Sequence, residues 1–324
     1  MAAFDVAKFI AAILVVAIHT HPFHGNTDYW FTGICRIAVP FFFASSSFFF
    51  WRNPNRDIKK YLKRLLELYA VWFVLELPYV LRRFFLASEL SRTEQVYDFI
   101  SHLFLGNTFY VSWYLMASII AMGIIFFLSK KLNNTQLFLV AGCFYIICLL
   151  SSSYYYLTTA IPHPWIQYVV SKGINLENSF FAALIYMVIG KVLAENVEVV
   201  SKASRNTVCW CFVAVALLGI LEIGFMADYV RFSDAYVTLP LITFFLLVLL
   251  LKFDVRIPAD LSRTLRETSI LVYLLHAVVQ GKLPLIGMGY HGKKAFIIVL
   301  FFSILVSLLI IFLSKKFRVF KLLY

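Results

Sequence analysis

Long apolar blocks alternate along the chain with short clusters of charged residues. A helix needs about 20 apolar residues to cross the hydrocarbon core of a bilayer, whereas strands of a membrane barrel alternate in polarity over about ten. The blocks here are of the longer kind and do not alternate, so the pattern predicts helices. The ten predicted spans cover residues 4–23, 31–51, 65–85, 110–129, 136–153, 178–195, 207–226, 236–251, 267–287 and 295–314.

These spans predict an all-α integral membrane protein, a polytopic bundle of about ten transmembrane helices. The connections between them are too short to hold a soluble domain, so we expect one transmembrane domain over residues 1–324. Composition supports this fold class. The chain is 62% hydrophobic and 14% charged, whereas soluble proteins average about 25% charged residues.

The net charge of +12 is compatible with nucleic-acid binding, but its distribution indicates membrane topology instead. Lysine and arginine lie at the ends of apolar blocks, where they set orientation. With the N-terminus in the cytoplasm, 20 of them fall on the cytoplasmic side and 8 on the other. We therefore predict both termini in the cytoplasm, a location in the cell (plasma or inner) membrane, membrane lipid as surroundings and no nucleic-acid partner.

The cysteines do not indicate a metal site. All five lie inside apolar blocks, and neither close pair has histidines nearby at the spacing of a metal-binding motif. A buried thiol in such a setting usually packs as a small apolar group. We expect no metal.

Several ionisable residues lie inside the predicted spans, where insertion costs about 2.5–3.5 kcal/mol each. Lys8 and His19 in the first span are separated by ten residues, so both lie on one helix face about 16 Å apart. Arg36 lies in the second span, and Tyr273 and His276 share a face of the ninth. One interpretation is structural, with Lys8 snorkelling to the interface and His19 making an interfacial hydrogen bond. The other is a polar cavity serving a transporter, channel, sensor or enzyme.

The first span, from Phe4 to Pro22, resembles the opening of the acyltransferase 3 family. These membrane enzymes transfer acyl groups, commonly acetyl, onto sugars and other extracytoplasmic acceptors. Their hallmark is an arginine, ten residues and a histidine. Here the histidine is His19 and the basic residue is Lys8, which keeps the charge but loses the bidentate fork of arginine.

Five further segments resemble blocks of the same family, in the same order. Val111 replaces a histidine in the third, and Glu177 replaces an arginine in the fourth. The overall pattern is similar to the branch that includes the membrane domain of vancomycin-resistance serine racemases. The segments are 36–48, 63–69, 112–115, 177–190 and 271–276.

The resemblance implies an acyl-CoA donor, most commonly acetyl-CoA, in the cytoplasm. His19 is then the general base, since its reference pKa near 6.5 suits proton abstraction at neutral pH. The cluster of basic residues between 52 and 64 would hold the phosphates of CoA, although positive-inside topology explains that cluster equally well. The donor-binding candidates are Lys8, Lys63 and Arg64, and the substrate-binding candidates are Arg36, Ser46, Trp113, Tyr273 and His276.

The predicted function is therefore a membrane-bound O-acyltransferase. It moves an acyl group from cytoplasmic acyl-CoA to a hydroxyl of an extracytoplasmic glycan or cell-envelope acceptor. The alternative is a transporter or permease-like protein that carries a small polar substrate through the same cavity. A membrane sensor is the third possibility, and the lack of a predicted soluble domain disfavours it.

Overall fold

The computed structural model describes residues 1–160, 164–172, 174–227 and 235–324. Sixteen α-helices account for most of them. Their bounds are α1 (Ala2–Thr20), α2 (Gly25–Cys35), α3 (Ala38–Arg52), α4 (Ile58–Leu75), α5 (Leu77–Leu81), α6 (Arg92–Leu105), α7 (Trp113–Leu128), α8 (Asn134–Ser151), α9 (Tyr155–Ala160), α10 (Pro164–Ser171), α11 (Phe180–Glu195), α12 (Val197–Lys202), α13 (Arg205–Met226), α14 (Leu239–Lys252), α15 (Ala259–Gln280) and α16 (Lys293–Lys316). A π-helical turn covers Arg82–Leu86, and 3₁₀ turns cover Leu176–Asn178, Leu283–Ile286 and Arg318–Leu323.

Each of the ten predicted spans overlaps a helix, and the described residues contain no strand. Five helical segments are long and apolar enough to cross a membrane: Ala2–Thr20, Gly25–Arg52, Asn134–Ser151, Arg205–Met226 and Lys293–Lys316. Two shorter apolar helices are α7 and α14. The all-helical membrane class is thus confirmed, while the number ten and the side of the termini stay predictions.

The chain divides into two compact units. Unit 1 comprises Met1–Arg52, Ile189–Asp228 and Tyr236–Tyr324, and unit 2 comprises Asn53–Val188 and Tyr229–Ala235. The expectation of a single domain over the whole chain stays a prediction. Most of the predicted site residues fall in unit 1, and each unit is described by itself.

Helix α1 and the two last long helices form the core of unit 1. Asp5, near the start of α1, contacts the beginning of α15, and His19, near its end, contacts the second half of α15. The two helices therefore run parallel. Helix α16 begins beside the end of α1, where the backbone N–H of Gly292 donates to the carbonyls of Thr20 and His21. It therefore runs back in the opposite direction.

Aromatic packing joins α3 to the start of α1. Phe4 is fully buried, and its ring stacks on that of Phe48 with 5.5 Å between centroids. The last turn and a half of α11 meets α3 at Gly190. A methyl group there would come within 2.8 Å of the backbone nitrogen of Phe48 and 2.9 Å of Cβ of Ser47. Close backbone approach of this kind is a common use of glycine between membrane helices.

Several polar groups inside the spans are satisfied within their own or a neighbouring helix. The hydroxyls of Thr20, Thr243 and Ser307 each donate to the carbonyl four residues earlier, at 2.6–2.8 Å, which is a common solution for such groups. Glu222 of α13 accepts the backbone N–H groups of Val237 and Thr238 at 2.6 and 2.9 Å. This carboxylate therefore caps the amino end of α14, where a negative charge is stabilised.

Unit 2 consists mainly of α4 to α10 and the first half of α11. Its helix starts carry strong caps. Ser91 and Glu94 form a reciprocal capping box at α6, and these hydrogen bonds lower the pKa of the Glu94 carboxyl. Asn133 and Gln136 form a second box at α8. Two helix starts that follow polar connections are thereby defined locally.

Long rows of apolar side chains remain exposed on two of the membrane-length helices. On α13, Leu221 is 68% exposed, and on α16, Phe312 is 68% exposed. Soluble monomers rarely expose contiguous apolar surfaces of this extent. A bilayer provides the apolar surroundings that these faces require.

Candidate active site

Helix α1 positions the two residues that the spacing singled out. Lys8 and His19 are eleven positions apart, which corresponds to about 16 Å along the axis. Each has a counterpart on the parallel helix α15. We call the group of Asp5, Lys8, Ser262 and Arg266 the cationic end, and the group of His19, His276, His21 and Asp28 the imidazole end.

The imidazole end contains a pair of close histidine rings. The ring centroids of His19 and His276 are 5.0 Å apart, with their planes inclined by 35°. His276 is completely buried, whereas the His19 residue is exposed at the surface of the protein. The described part of the structure gives the His19 ring no hydrogen-bond partner, so its nitrogens are available to a ligand.

His276 is held in one tautomer by its own helix. Its Nδ1 lies 3.2 Å from the carbonyl oxygen of Val272, and a bond to a carbonyl requires the proton on Nδ1. Nε2 is then an acceptor. It has no hydrogen-bond partner among the described residues. The ring of His19 lies beside it, with 5.0 Å between the ring centroids.

A second pairing lies at the rim of the imidazole end. Nδ1 of His21 is 2.7 Å from Oδ2 of Asp28, and the other oxygen of Asp28 accepts the backbone N–H of Phe23 at 3.1 Å. His21 ends α1 in the left-handed conformation, with φ of 45°. Positive φ is uncommon outside glycine, although histidine adopts it more often than most residues. The contacts of the His21 side chain and carbonyl hold this turn in place.

Arg36 lies near the same end. It follows the last residue of α2, and its guanidinium interacts electrostatically with His19, as His21 does. Two basic groups thus surround an imidazole that is exposed. An arrangement of this kind favours a ligand with a negative or polarised oxygen close to His19.

The cationic end is built around a buried carboxylate. Asp5 is 3% exposed, and its Oδ2 accepts from the hydroxyl of Ser262 at 2.6 Å and from Nη1 of Arg266 at 3.4 Å. The ammonium group of Lys8 lies 4.7 Å from the ring centroid of Phe49 and interacts with both Asp5 and Arg266. Two cations share one carboxylate here, so the end carries an excess of positive charge.

Of the other predicted substrate-binding residues in unit 1, Tyr273 lies beside the imidazole end and Ser46 lies on α3. Tyr273 is buried, with its ring 6.0 Å from that of His276 and 6.1 Å from that of Phe42. Ser46 is half-buried on α3. The structure thus places Tyr273 next to the imidazole end and leaves Ser46 on a neighbouring helix of the same unit.

A protein-family model described as "Acyltransferase domain" matches residues 1–316 of the chain. The chain belongs to the acyltransferase 3 family. One similar protein is an amino-acid racemase of Enterococcus faecalis, 25% identical over 338 residues, a match that covers 98% of this chain and 47% of that protein. A second E. faecalis amino-acid racemase is 31% identical over 202 residues, covering 59% and 28%.

A third relative is a serine/alanine racemase of Enterococcus gallinarum, 25% identical over 289 residues, covering 84% of this chain and 40% of that protein. The chain therefore spans less than half the length of each of these relatives. No solved structure matches it. Both the family and the similarity to racemases of this type agree with the resemblance found in the sequence.

The remaining residues predicted from the acyltransferase 3 pattern lie in unit 2. Lys63 is on α4, with its ammonium group 3.9 Å from Glu67 and most of its side chain exposed. Arg64 is half-buried on the same helix. Trp113 begins α7, where its backbone N–H donates to the side chain of Asn107 at 3.1 Å. Their roles stay predictions.

Sequence reasoning missed the contributions of Arg266, Ser262 and Asp28. A signal for Arg266 was present, because α15 carries a basic residue ten positions before His276, much as α1 carries Lys8 before His19. No local pattern indicates that α1 and α15 lie side by side. No local pattern links Asp28 to His21 either, because His21 follows the end of α1 and Asp28 lies on α2.

The described residues contain no group of three side chains that could hold a metal ion. The chemistry available to the site is therefore that of imidazoles, a guanidinium group at the imidazole end and two cations at the cationic end. Such groups can bind anions and transfer protons.

Proposed function

We propose that this protein is a membrane-bound O-acyltransferase. It would transfer an acyl group, most simply acetyl, from cytoplasmic acyl-CoA to a hydroxyl of an extracytoplasmic glycan or cell-envelope acceptor. The observation that supports this most directly is the division of α1 and α15 into a cationic end and an imidazole end about 16 Å apart. Anion binding and proton transfer are the two tasks that acyl transfer from CoA requires.

We propose ten spans with both termini in the cytoplasm, in the plasma or inner membrane. The excess of basic residues on the assigned cytoplasmic side supports this orientation. Helix directions in unit 1 agree with it, because the first and ninth spans of such a topology must run parallel and the tenth must run back. These are the directions of α1, α15 and α16. The cationic end then faces the cytoplasm.

The cationic end would bind the donor. CoA is highly anionic, and charge-assisted hydrogen bonds to phosphate are among the strongest available to a protein. Lys8 and Arg266 of unit 1 would contact it. For Lys63 and Arg64 of unit 2, donor binding stays a prediction from the sequence. The flexible pantetheine arm of CoA would carry the thioester along α1 to the imidazole end.

At the imidazole end His19 would act as general base. It would take the proton from the acceptor hydroxyl as the oxygen attacks the thioester carbonyl. The tetrahedral intermediate would then collapse, breaking the carbon–sulfur bond, and the departing CoA thiolate would recover the proton from the His19 imidazolium. Arg36 would stabilise the negative oxygen of the intermediate. No metal ion is needed.

The buried neighbours of His19 would position it. With the proton on Nδ1 of His276, its Nε2 would accept a hydrogen bond from the His19 ring and leave the other nitrogen of His19 facing the acceptor. Tyr273 would fix the plane of His276. Ser46 and Trp113 remain the candidates for contacts with the acceptor.

A second candidate is a permease-like function for a small polar substrate. It rests on the departures from the acyltransferase 3 pattern at Lys8, Val111 and Glu177. In that case the same cavity would pass a substrate through the membrane without forming a covalent bond. Lys8 and His19 would then affect flux but not acyl transfer.

The test is acyl transfer by purified protein in proteoliposomes. Radiolabelled acetyl-CoA is supplied on one side and a panel of glycans on the other, and label in the glycan fraction is counted. Wild type is compared with His19→Gln, Lys8→Met and a control, His24→Gln, which changes an exposed loop histidine. We expect transfer in wild type and in the control, and its loss in His19→Gln.

Two results would contradict the proposal. The first is folded protein that binds no acetyl-CoA in equilibrium dialysis. The second is transfer that persists in His19→Gln at the wild-type rate. Flux of a small polar substrate without label transfer would support the permease-like function instead.

A further inference from the structure

A long apolar groove lies in unit 1, apart from both ends of the candidate site. It is bounded by α1, by the junction of α2 and α3, and by α13 and α14. Its volume is about 390 Å³, within the range of about 300–1,000 Å³ that is usual for small-ligand pockets. The residues that line it are Ala7, Ile10, Ala11, Leu14, Gly33, Ile34, Ile37, Ala38, Phe41, Phe212, Ala216, Gly219, Ile220, Ile223, Tyr236, Thr238, Leu239, Ile242, Leu246 and Leu250.

The groove is elongated along the helices. On α14 its lining extends from Thr238 to Leu250, which corresponds to about 18 Å at 1.5 Å per residue. On α13 it extends from Phe212 to Ile223, about 16 Å. A space this long and of this volume is narrow, so it suits an extended chain better than a compact ring system.

The residues that line the groove favour a hydrocarbon ligand. None of the lining residues is charged, and only Tyr236 and Thr238 carry polar side-chain groups. The Thr238 hydroxyl is already engaged, since it donates to Glu222 at 2.6 Å. Water is excluded from apolar cavities of this kind. Apart from the Tyr236 hydroxyl, the groove therefore offers no group that would recognise a headgroup, a sugar or an anion.

Small residues line the groove, and the helices that carry them do not come together to fill it. Small side chains between membrane helices normally let the backbones come together. That happens at Gly219, where an added methyl group would meet Cδ1 of Ile242 at 2.7 Å. Around Ala7, Ala38 and Ala216 the helices instead leave the space open. An unfilled gap would forfeit the dispersion contacts of every group lining it.

The groove also opens onto the apolar outer surface of the unit. Ile10, Ile34 and Ile220 line it and are nevertheless 50%, 52% and 38% exposed. Two of the helices that form its walls, α1 and α13, are of membrane-spanning length and composition. The medium in contact with this opening is thus the acyl region of the bilayer.

We infer that this groove is a binding site for one acyl chain of a bilayer phospholipid. The chain would lie parallel to α13 and α14 and fill the space that the small residues leave. Its contacts with Ala7 and Ala11 would support α1, the helix that carries Lys8 and His19. The inference does not depend on the acyltransferase proposal.

The experiment is photolabelling in proteoliposomes. Phosphatidylcholine with a diazirine in one acyl chain is mixed into the vesicles, the sample is irradiated, and cross-linked peptides are mapped by mass spectrometry. Wild type is compared with Ala216→Trp, which fills the groove from α13. The matched control is Ala214→Trp, which places the same indole on the exposed face of the same helix.

We expect labelling of groove residues on α13 and α14 in wild type and in Ala214→Trp. In Ala216→Trp this labelling should fall at least fivefold. Equal labelling in the two variants, or labelling spread evenly over all exposed apolar faces, would overturn the inference. Strong competition by a soluble long-chain acyl-CoA would also overturn it, because the occupant would then be a donor and not a bilayer lipid.

A second measurement covers the case in which Ala216→Trp does not fold well. Ala7→Phe fills the groove from α1 and should reduce the labelling to a similar extent. In detergent, added phosphatidylcholine should raise the thermal midpoint of wild type and of Ala214→Trp, since a ligand that binds only the folded state stabilises it. An equal rise in Ala7→Phe would contradict the inference.

Discussion

The cationic end and the imidazole end are both formed by α1 and α15, but they contain different kinds of polar group. At the cationic end, Lys8 and Arg266 surround a carboxylate that is 3% exposed. At the imidazole end, His19 and His276 lie ring to ring without a carboxylate between them. The first arrangement brings two basic groups near one carboxylate and suits anion binding. The second consists of imidazoles, which can accept and donate protons.

The comparison shows how one pair of parallel helices can separate two functions. Charged groups are expensive inside a membrane, and here they lie near the starts of α1 and α15. Neutral imidazoles cost less to bury and are found about 16 Å further along. If the two ends act as proposed, changes at the imidazole end should lower kcat and changes at the cationic end should raise KM for the donor.

The largest effect is expected from His19→Gln. Removing a general base lowers rates by about 10²–10⁴-fold, and glutamine preserves size and polarity. kcat for acetyl transfer should fall by this amount, while KM for acetyl-CoA should change less than twofold. Steady-state kinetics in proteoliposomes would check this, with His24→Gln as the control. If His19→Gln instead raised KM for acetyl-CoA and left kcat unchanged, the two ends of α1 would not have the separate functions proposed.

His276→Phe should have the next largest effect. Phenylalanine fills a similar buried volume but offers no acceptor to His19, and loss of orientation can cost about 10²-fold. We expect kcat to fall about 10–100-fold and the thermal midpoint to stay close to that of wild type. His276→Gln should recover part of kcat, since its side chain can accept a hydrogen bond. Equal loss in both variants would indicate that only packing matters at this position.

Lys8→Met tests the cationic end. It removes a charge but keeps the length of the side chain, so KM for acetyl-CoA should rise about tenfold, equivalent to about 1.4 kcal/mol, with kcat nearly unchanged. Lys8→Arg should restore donor binding because arginine keeps the charge and adds a fork. Lys202→Met, which changes an exposed lysine of α12, is the control. A fall in kcat for Lys8→Met without a change in KM would contradict the assignment.

Arg266→Gln should combine a smaller kinetic effect with a loss of stability. The Arg266 side chain is 45% exposed and its partner Asp5 is 5% exposed, so the carboxylate loses one of its two hydrogen-bond donors. We expect donor KM to rise about threefold and the free energy of unfolding to fall by about 1–2 kcal/mol. Thermal unfolding in detergent would measure the second effect, and Asp5→Asn in the same background should recover part of it.

The smallest effect is expected from Asp28→Asn at the rim. Its partner His21 is 44% exposed, and pairs this open contribute little to stability, about 0.2–1 kcal/mol. kcat should remain within threefold of wild type if His21 only holds the turn at the end of α1. A fall in kcat comparable with that of His276→Phe would show that His21 has a role in the reaction as well as in the turn.

Much of the fold followed from local patterns in the sequence. The apolar blocks are as long as membrane helices, and each predicted span coincides with a helix because intrahelical hydrogen bonding is the main way to satisfy a backbone in hydrocarbon. Some boundaries were wrong by several residues. The span predicted at 31–51 begins at Gly25 and contains two helices, and that at 65–85 bends after Glu76, ahead of Pro78.

Within the site, the sequence determined which residues share a face of the same helix. Lys8 and His19 share a face because the helical repeat brings residues eleven apart into line. The pairing of Tyr273 with His276 followed in the same way. Asp5 lies on the same helix as His19 but more than three turns away, so it cannot reach that imidazole.

Only the tertiary structure decided which helices meet. Arg266 and Ser262 reach Asp5, and His276 reaches His19, because α15 packs parallel to α1 across more than 250 residues of sequence. The tertiary structure likewise decides that Glu222 of α13 caps the start of α14 and that a groove forms around Ala216. Lipid tails are as apolar as leucine, so hydrophobicity alone does not specify partners inside a membrane. Shape and a few polar contacts do, and these depend on side chains that are distant in the chain.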